Sequence, residues 1–242
     1  MTIEHLKWDS DFFGKSIAST SIDFSNKETE VISEILSCKK RYELVYINTP
    51  EDYFFSRDVL VSQNIALVDT KITYHGLVEN VKPDFDEHIS IFSSEEINPD
   101  LLSLSLQSGA HSRFKKDTNF KNGEFEKLFT KWIENSVNGN IADAVFVYKN
   151  DEKISGMVTV SIDKASDACK IGLIAVDQSA QSKGIGSKLM EAVKTYALSH
   201  SLRNIEVVTQ LENKQACTFY EKCGLSVKSK TNIYHFWLND RL

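Results

Sequence analysis

Gln181-Ser182-Lys183-Gly184-Ile185-Gly186 sets two glycines one residue apart, between an apolar run ending at Val176 and an amphipathic stretch starting at Ile185. Glycines let a backbone approach a ligand closely. The exposed N–H groups at a helix start, with the helix dipole, favour an anion. Each such interaction contributes about 0.3–1 kcal/mol, so several must converge to hold a pyrophosphate. GxxxxGK[ST] is absent, which excludes a P-loop, and GxGxxG is absent, which excludes a dinucleotide fingerprint. Taken alone, the same glycines also fit a plain left-handed turn capping a helix. The loop SGAHSRFKKDTNF (108–120) gathers further polar chemistry. The cysteines Cys38, Cys169, Cys217 and Cys223 form no CxxC pair and read as reduced thiols, with no zinc site.

The elements that must position these residues follow from periodicity. Ala144–Tyr148, Ile154–Ile162 and Cys169–Val176 are apolar runs separated by the turns KNDEK and DKASD, which predicts an antiparallel meander. A helix is expected from Ile185, with Leu189, Val193 and Tyr196 inward, then a strand over Asn204–Thr209. Glu212–Cys223 reads as a helix stopped by Gly224, and Leu225–Leu238 as a closing strand. Upstream, Asn98–Gln107 is expected to be helical. So is the stretch holding Phe125, Leu128, Phe129, Trp132, Ile133 and Val137, whose spacing reads as a core-facing stripe. In the first third, Ile17–Ile22, Glu43–Asn48 and Leu67–Leu77 read as strands, and Val31–Leu36 as a helix. Pro50 is expected to open another helix, with Phe54, Phe55, Val59 and Leu60 inward. Trp8, Phe12 and Phe13 read as anchors of an N-terminal strand. The polar segment Val81–Glu87 around Pro83 marks a boundary, giving an N-terminal α/β domain over 1–85 and a second domain over 86–242.

Composition limits the function classes. The 242 residues hold 28 Lys+Arg against 34 Asp+Glu, and a net charge of −6 argues against a general nucleic-acid binder. It leaves room for a local basic pocket. The charged start from Glu4 is no signal peptide, and no apolar run is long enough for a transmembrane helix, so a cytoplasmic protein is expected.

The meander, the QxxGxG turn, the helix, the strand NIEVVT and the segment NxxAxxFYExxGL starting at Asn213 resemble the GNAT superfamily of N-acyltransferases, from about Asp143 to Trp237. The resemblance implies a mixed α/β acyl-CoA-dependent fold with acetyl-CoA as co-substrate and no metal. The backbone of Gln181, Ser182, Lys183, Gly184, Ile185, Gly186 and Ser187 would bind its pyrophosphate. Ile174, Ala175 and Val176 would pair with its pantetheine arm and orient the thioester, and Asn213 would contact that arm or its neighbouring strands. Tyr220 matches the tyrosine that protonates the leaving thiolate. A free phenol near pKa 10 and a thiol near 8.5 lie close enough for general-acid catalysis. The alternative is a buried aromatic beside Phe219.

The segments Leu6–Gly14 and Ser112-Arg113-Phe114 through Asp117 to Phe120 resemble the narrower group of bacterial TDP-fucosamine acetyltransferases. That resemblance implies transfer of an acetyl group to the 4-amino group of a dTDP-4-amino-4,6-dideoxyhexose, for cell-surface polysaccharide synthesis, directly in a ternary complex. Its first domain would contact the sugar nucleotide. Arg113 could hold the nucleotide or make a surface ion pair. His111 could help remove a proton or stay solvated, while Asp117 and Phe120 could simply fold the loop. The competing readings are a GNAT enzyme for another small amine (amino acid, polyamine or antibiotic) and a non-catalytic acyl-CoA-binding protein. No nucleic-acid or membrane partner is expected, and a homodimer is left open.

Overall fold

The computed structural model describes residues 1–79, 86–94 and 96–238. The chain runs β1 (Glu4–His5), α1 (Lys7–Phe13), β2 (Ile17–Ser21), α2 (Glu28–Ser37), β3 (Leu44–Pro50), α3 (Arg57–Ser62) and β4 (Ile65–Leu77). It continues through β5 (Ile89–Ile91), α4 (Pro99–Ser108), α5 (Arg113–Lys116), α6 (Glu124–Val137), β6 (Ala144–Asn150), β7 (Lys153–Asp163) and β8 (Ala168–Val176). A 3-10 turn at Gln178–Ala180 leads to α7 (Ile185–Ser199), β9 (Asn204–Gln210), α8 (Lys214–Lys222) and β10 (Ser226–Trp237). Two units emerge. One comprises Met1–Ile72, Gln210–Glu212 and Ser229–Leu242; the other comprises Thr73–Thr209 and Asn213–Lys228. The boundary expected at Pro83 lies outside the described residues.

In the first unit β2 pairs with β3 in parallel, and β3 pairs antiparallel with β10, Leu44 opposite Trp237. Alternate residues of these strands and the Val31, Ile32, Ile35 face of α2 form one apolar cluster with Phe55, Ile65, Tyr234 and Phe236. Two sequence expectations are corrected here. Pro50 ends β3 rather than opening a helix, because the amide of buried Asn232 donates to the carbonyls of Pro50, Glu51 and Tyr53 and holds a turn. The helix starts only at Arg57, where Ser56 caps it by accepting from the Val59 N–H, and Phe54 is left exposed. Trp8, Phe12 and Phe13 lie on α1, not a strand. Gly14 ends that helix with φ 62°, Phe13 alone is buried, and Trp8 stacks on Phe12 at the surface.

The second unit is built on the expected meander: β6–β7 and β7–β8 are antiparallel, and β9 returns through α7 to lie parallel to β8. Asn98 caps α4 through the Asp100 N–H, with Pro99 at its first position. Asp100 in turn accepts the Ile154 N–H across to β7. α4 packs on β7, β8 and α6. Gly109 allows this, since a Cβ there would sit 2.4 Å from the Phe129 ring. α7 covers the opposite face. Gly156 of β7 faces Ile185 of α7, and Thr159, of opposite parity, faces Gly172 beneath α6. The 108–120 segment is not wholly a loop: Ser112 caps the short helix α5.

Candidate active site

The turn between β8 and α7 is bent by two left-handed residues, Ser182 (φ 62°) and Gly184 (φ 79°). Gly184 occupies the cap position of α7 and offers no side chain to it. The first bond of the helix is Lys188 N–H to the Gly184 carbonyl. Among the described residues, the N–H groups of Ser182, Lys183, Gly184, Ile185, Gly186 and Ser187 therefore donate to nothing, and they fan around the positive end of a 15-residue helix. A Cβ on Gly184 would meet nothing within 4 Å, so the space before it is open. This run of donors suits a pyrophosphate.

Gly186 is held for another reason. Its ideal Cβ would lie 3.1 Å from the Phe219 ring, so this glycine seats α8 on the start of α7. Gln181 also reaches α8: its carbonyl oxygen accepts from Gln215 at 3.2 Å, while its amide donates to the Val176 carbonyl at 3.2 Å. Gln107 of α4 donates to that same carbonyl at 2.6 Å. The turn is thus tied to the end of β8 and to both neighbouring helices. Asp177 fixes its entry, accepting the Ser179 N–H and pairing with Lys153 at 3.0 Å. Those hydroxyl and N–H donors, with the ammonium, hold its carboxyl down to about 2.

Beside the turn, β8 leaves β9. The two strands pair from Ala168–Asn204 to Ile171–Val207 and no further, although β8 continues to Val176 and β9 to Gln210. The cause is a bulge. Between Val158–Ile174 and Val160–Ile171, β8 holds one residue more than β7. Thr159 Oγ1 accepts the Leu173 N–H at 2.9 Å, and would lie 2.8 Å from a Cβ on Gly172. Ile174, Ala175 and Val176 therefore keep β7 on one edge and present the other edge unpaired by β9. An extended amide chain could add there as a strand does.

Tyr220 is 3% exposed on the inner side of α8, its ring tilted against Tyr74 of β4 at 5.6 Å. Tyr74 in turn hydrogen-bonds Glu221 at 3.0 Å. The Tyr220 hydroxyl makes no hydrogen bond among the described residues. Burial, with Cys223 and Cys217 nearby, pushes its pKa well above the usual phenol value. It is therefore a phenol throughout the neutral range, but a weaker acid than the free side chain. Asn213 caps α8, its side-chain oxygen accepting the Ala216 N–H at 3.1 Å. This gives it a structural task that explains its type. Arg113 lies over the Phe114 ring at 4.6 Å and is half-buried, as is His111. Asp117 binds the N–H and amide of Asn119, which folds the loop.

Sequence reasoning missed Gln107, Gly156, Thr159 and Gly172. The lone glycines inside strand patterns were the available signal, since such glycines mark bulges or close approaches.

Residues 111–225 match the model of the acetyltransferase (GNAT) family. Among curated proteins, the spore coat polysaccharide biosynthesis protein SpsD of Bacillus subtilis is 26% identical over 137 residues, covering 57% of this chain and 46% of its own. The streptothricin acetyltransferase of Escherichia coli is 28% identical over 103 residues, 37% of this chain and 59% of its own. The chain thus spans about half the length of these curated relatives. A GCN5-related N-acetyltransferase from Sphaerobacter thermophilus has a TM-score of 0.56 at 12% identity, over 93% of this chain and 74% of its own. A tandem GNAT protein from the clavulanic acid biosynthesis pathway has a TM-score of 0.56 at 9% identity, over 95% and 77%. The splayed β8–β9 pair, the uncapped turn and these likenesses agree: the chain has the mixed α/β fold of the GNAT acetyltransferases, and its residues 111–225 carry that family's sequence pattern.

Proposed function

We propose that this protein is an N-acetyltransferase that moves the acetyl group of acetyl-CoA to the amine of a nucleotide-linked amino sugar, directly and without a covalent enzyme intermediate. The observation that carries the reading is the row of unpaired N–H groups from Ser182 to Ser187 beside the β8 edge released from β9. The row would hold the pyrophosphate, and the edge at Ile174–Val176 would hold the pantetheine amides. Acetyl-CoA supplies an activated acyl group on a thiol leaving group. A strand N–H near Val176 would bear the charge developing on the carbonyl oxygen. Tyr220 would return a proton to the departing sulfur. Its raised pKa keeps that proton in place at neutral pH, and the proton that the amine loses on forming the amide would replace it.

The sugar acceptor is supported by two things: the relative named for spore coat polysaccharide biosynthesis, and the resemblance around Arg113 and Phe120. A second reading, acetylation of an antibiotic amine, is favoured by the relative named a streptothricin acetyltransferase. A thiol-release assay with acetyl-CoA separates them. dTDP-4-amino-4,6-dideoxyhexoses should release CoA thiol at a higher kcat/KM than streptothricin. The reverse order would transfer the assignment to the antibiotic.

A further inference from the structure

The register of β7 and β8 decides which backbone groups the open edge of β8 offers. Ser155 stands opposite Asp177, one step beyond the Gly156–Val176 pair, and the Asp177 N–H donates to the Ser155 carbonyl at 2.9 Å. In an antiparallel pair, hydrogen-bonded and non-bonded residue pairs alternate. Asp177 and Ala175 therefore turn their backbone groups to β7, whereas Ile174 and Val176 turn theirs to the edge that β9 has left. Of these groups, the Val176 carbonyl is already taken. Gln107, in the last turn of α4, donates to it at 2.6 Å, and Gln181 donates to it at 3.2 Å. A carbonyl oxygen has two lone pairs, so both are in use.

The two glutamines are not held alike. Gln181 is anchored at both ends of its amide, because its own oxygen accepts from Gln215 at 3.2 Å. The Gln107 oxygen makes no hydrogen bond among the described residues, so its carboxamide has only the bond to Val176. An extended chain that adds to a strand edge uses the carbonyls of alternate residues as well as their N–H groups. An arm pairing with Ile174 and Val176 thus brings an amide N–H to a carbonyl whose lone pairs are both engaged. Gln107 is the donor free to move aside.

We infer that Gln107 is a displaceable latch in the cofactor cleft: its amide and an amide N–H of the pantetheine arm compete for the Val176 carbonyl. The inference rests on the acetyltransferase reading above and adds to it a residue that opposes cofactor binding. Acetyl-CoA and free CoA carry the same arm amides, so Gln107 weakens both alike.

The test compares the wild type with Gln107→Leu, which removes the donor at similar size, and with Gln107→Asn, whose amide is too short to reach. Calorimetry gives the affinities for acetyl-CoA, CoA and adenosine 3′,5′-bisphosphate, which carries phosphates but no arm. Thermal melts check the fold. Both variants should bind acetyl-CoA and CoA about 3- to 10-fold more tightly than the wild type, the range of one neutral hydrogen bond. Their affinity for the bisphosphate should equal that of the wild type. A folded variant whose acetyl-CoA affinity is unchanged or weaker overturns the latch and leaves the acetyltransferase reading standing. Equal tightening of the bisphosphate also overturns the latch, since that ligand has no arm amide. A wild-type protein that binds neither acetyl-CoA nor CoA overturns both.

Discussion

Tyr220 joins two requirements that conflict, burial and proton transfer. Its ring fills the space against Tyr74, while its hydroxyl makes no hydrogen bond among the described residues. Phenylalanine would therefore keep the packing and cost little stability. If the phenol is the proton donor, Tyr220→Phe should lose about 10²–10⁴ in kcat, with KM for acetyl-CoA nearly unmoved. Steady-state kinetics beside a thermal melt reads this out. Wild-type turnover in a stable variant would mean that water supplies the proton. Thr159 makes the opposite case, a side chain wholly committed to structure. In Thr159→Val the buried Leu173 N–H loses its acceptor, which should destabilise the protein by about 1–3 kcal/mol in urea unfolding. It should also weaken acetyl-CoA binding, because the bulge that frees the β8 edge loses its anchor.

At the scale of elements, two glycines in one turn serve different ends. Gly184 has open space but a left-handed φ, so Gly184→Ala adds about 1–2 kcal/mol of backbone strain. Relieving it swings the N–H row, and KM for acetyl-CoA should rise while kcat holds. Gly186 has an ordinary helical place but a ring against it, so Gly186→Ala pushes on Phe219 and shifts α8. That variant should lose kcat more than acetyl-CoA affinity, because the displaced helix carries Tyr220. Equal effects of the two substitutions on KM and kcat would refute this division. The turn also has an acid limit. Asp177 is held near 2 when folded, below an ordinary carboxyl near 3.9, so its contribution is complete above the latter and disappears as pH falls toward the former. Acetyl-CoA binding should weaken over that window, and Asp177→Asn should show the weakened binding already at neutral pH.

Across the molecule, burial sets an alkaline limit. Folding raises the Tyr220 and Tyr74 pKa values above the ordinary phenol. Below about pH 10 both states hold these protons, and no stability depends on them. Above it the unfolded chain ionises first and binds fewer protons, so stability falls as pH rises. Urea midpoints should decline as pH rises past about 10, and Tyr220→Phe should flatten that slope. In the first unit, Asn232 holds three carbonyls and accepts from Thr70. Asn232→Ala should therefore destabilise the protein in urea by about 2–3 kcal/mol, given several buried groups left without a partner. The acetyl-CoA Kd of the folded protein should not change.

By itself the sequence determined the meander, the crossover helix, the parallel return strand and the glycine turn. All of these are local: apolar alternation, turn residues and helix caps act over a few neighbours, so β6 to α8 fall within a few residues of their expected bounds. Pro50 and the Trp8–Phe13 segment were misread for the converse reason. A remote residue, Asn232, bends the chain after β3, and a local aromatic pattern cannot say which of its rings will find a core. The site divides in the same way. Gly184 and Tyr220 are legible as residues in motifs, but the tasks of Gly186, Gln107, Thr159 and Gly172 are not. Those tasks exist only where β8 meets β7 and α4 and where α7 meets α8, across sequence separations that no motif spans. The open edge of β8 is likewise a tertiary decision: the apolar run continues to Val176 with Gly172 as its one local hint, and the bulge opposite Thr159 turns that strand away from β9.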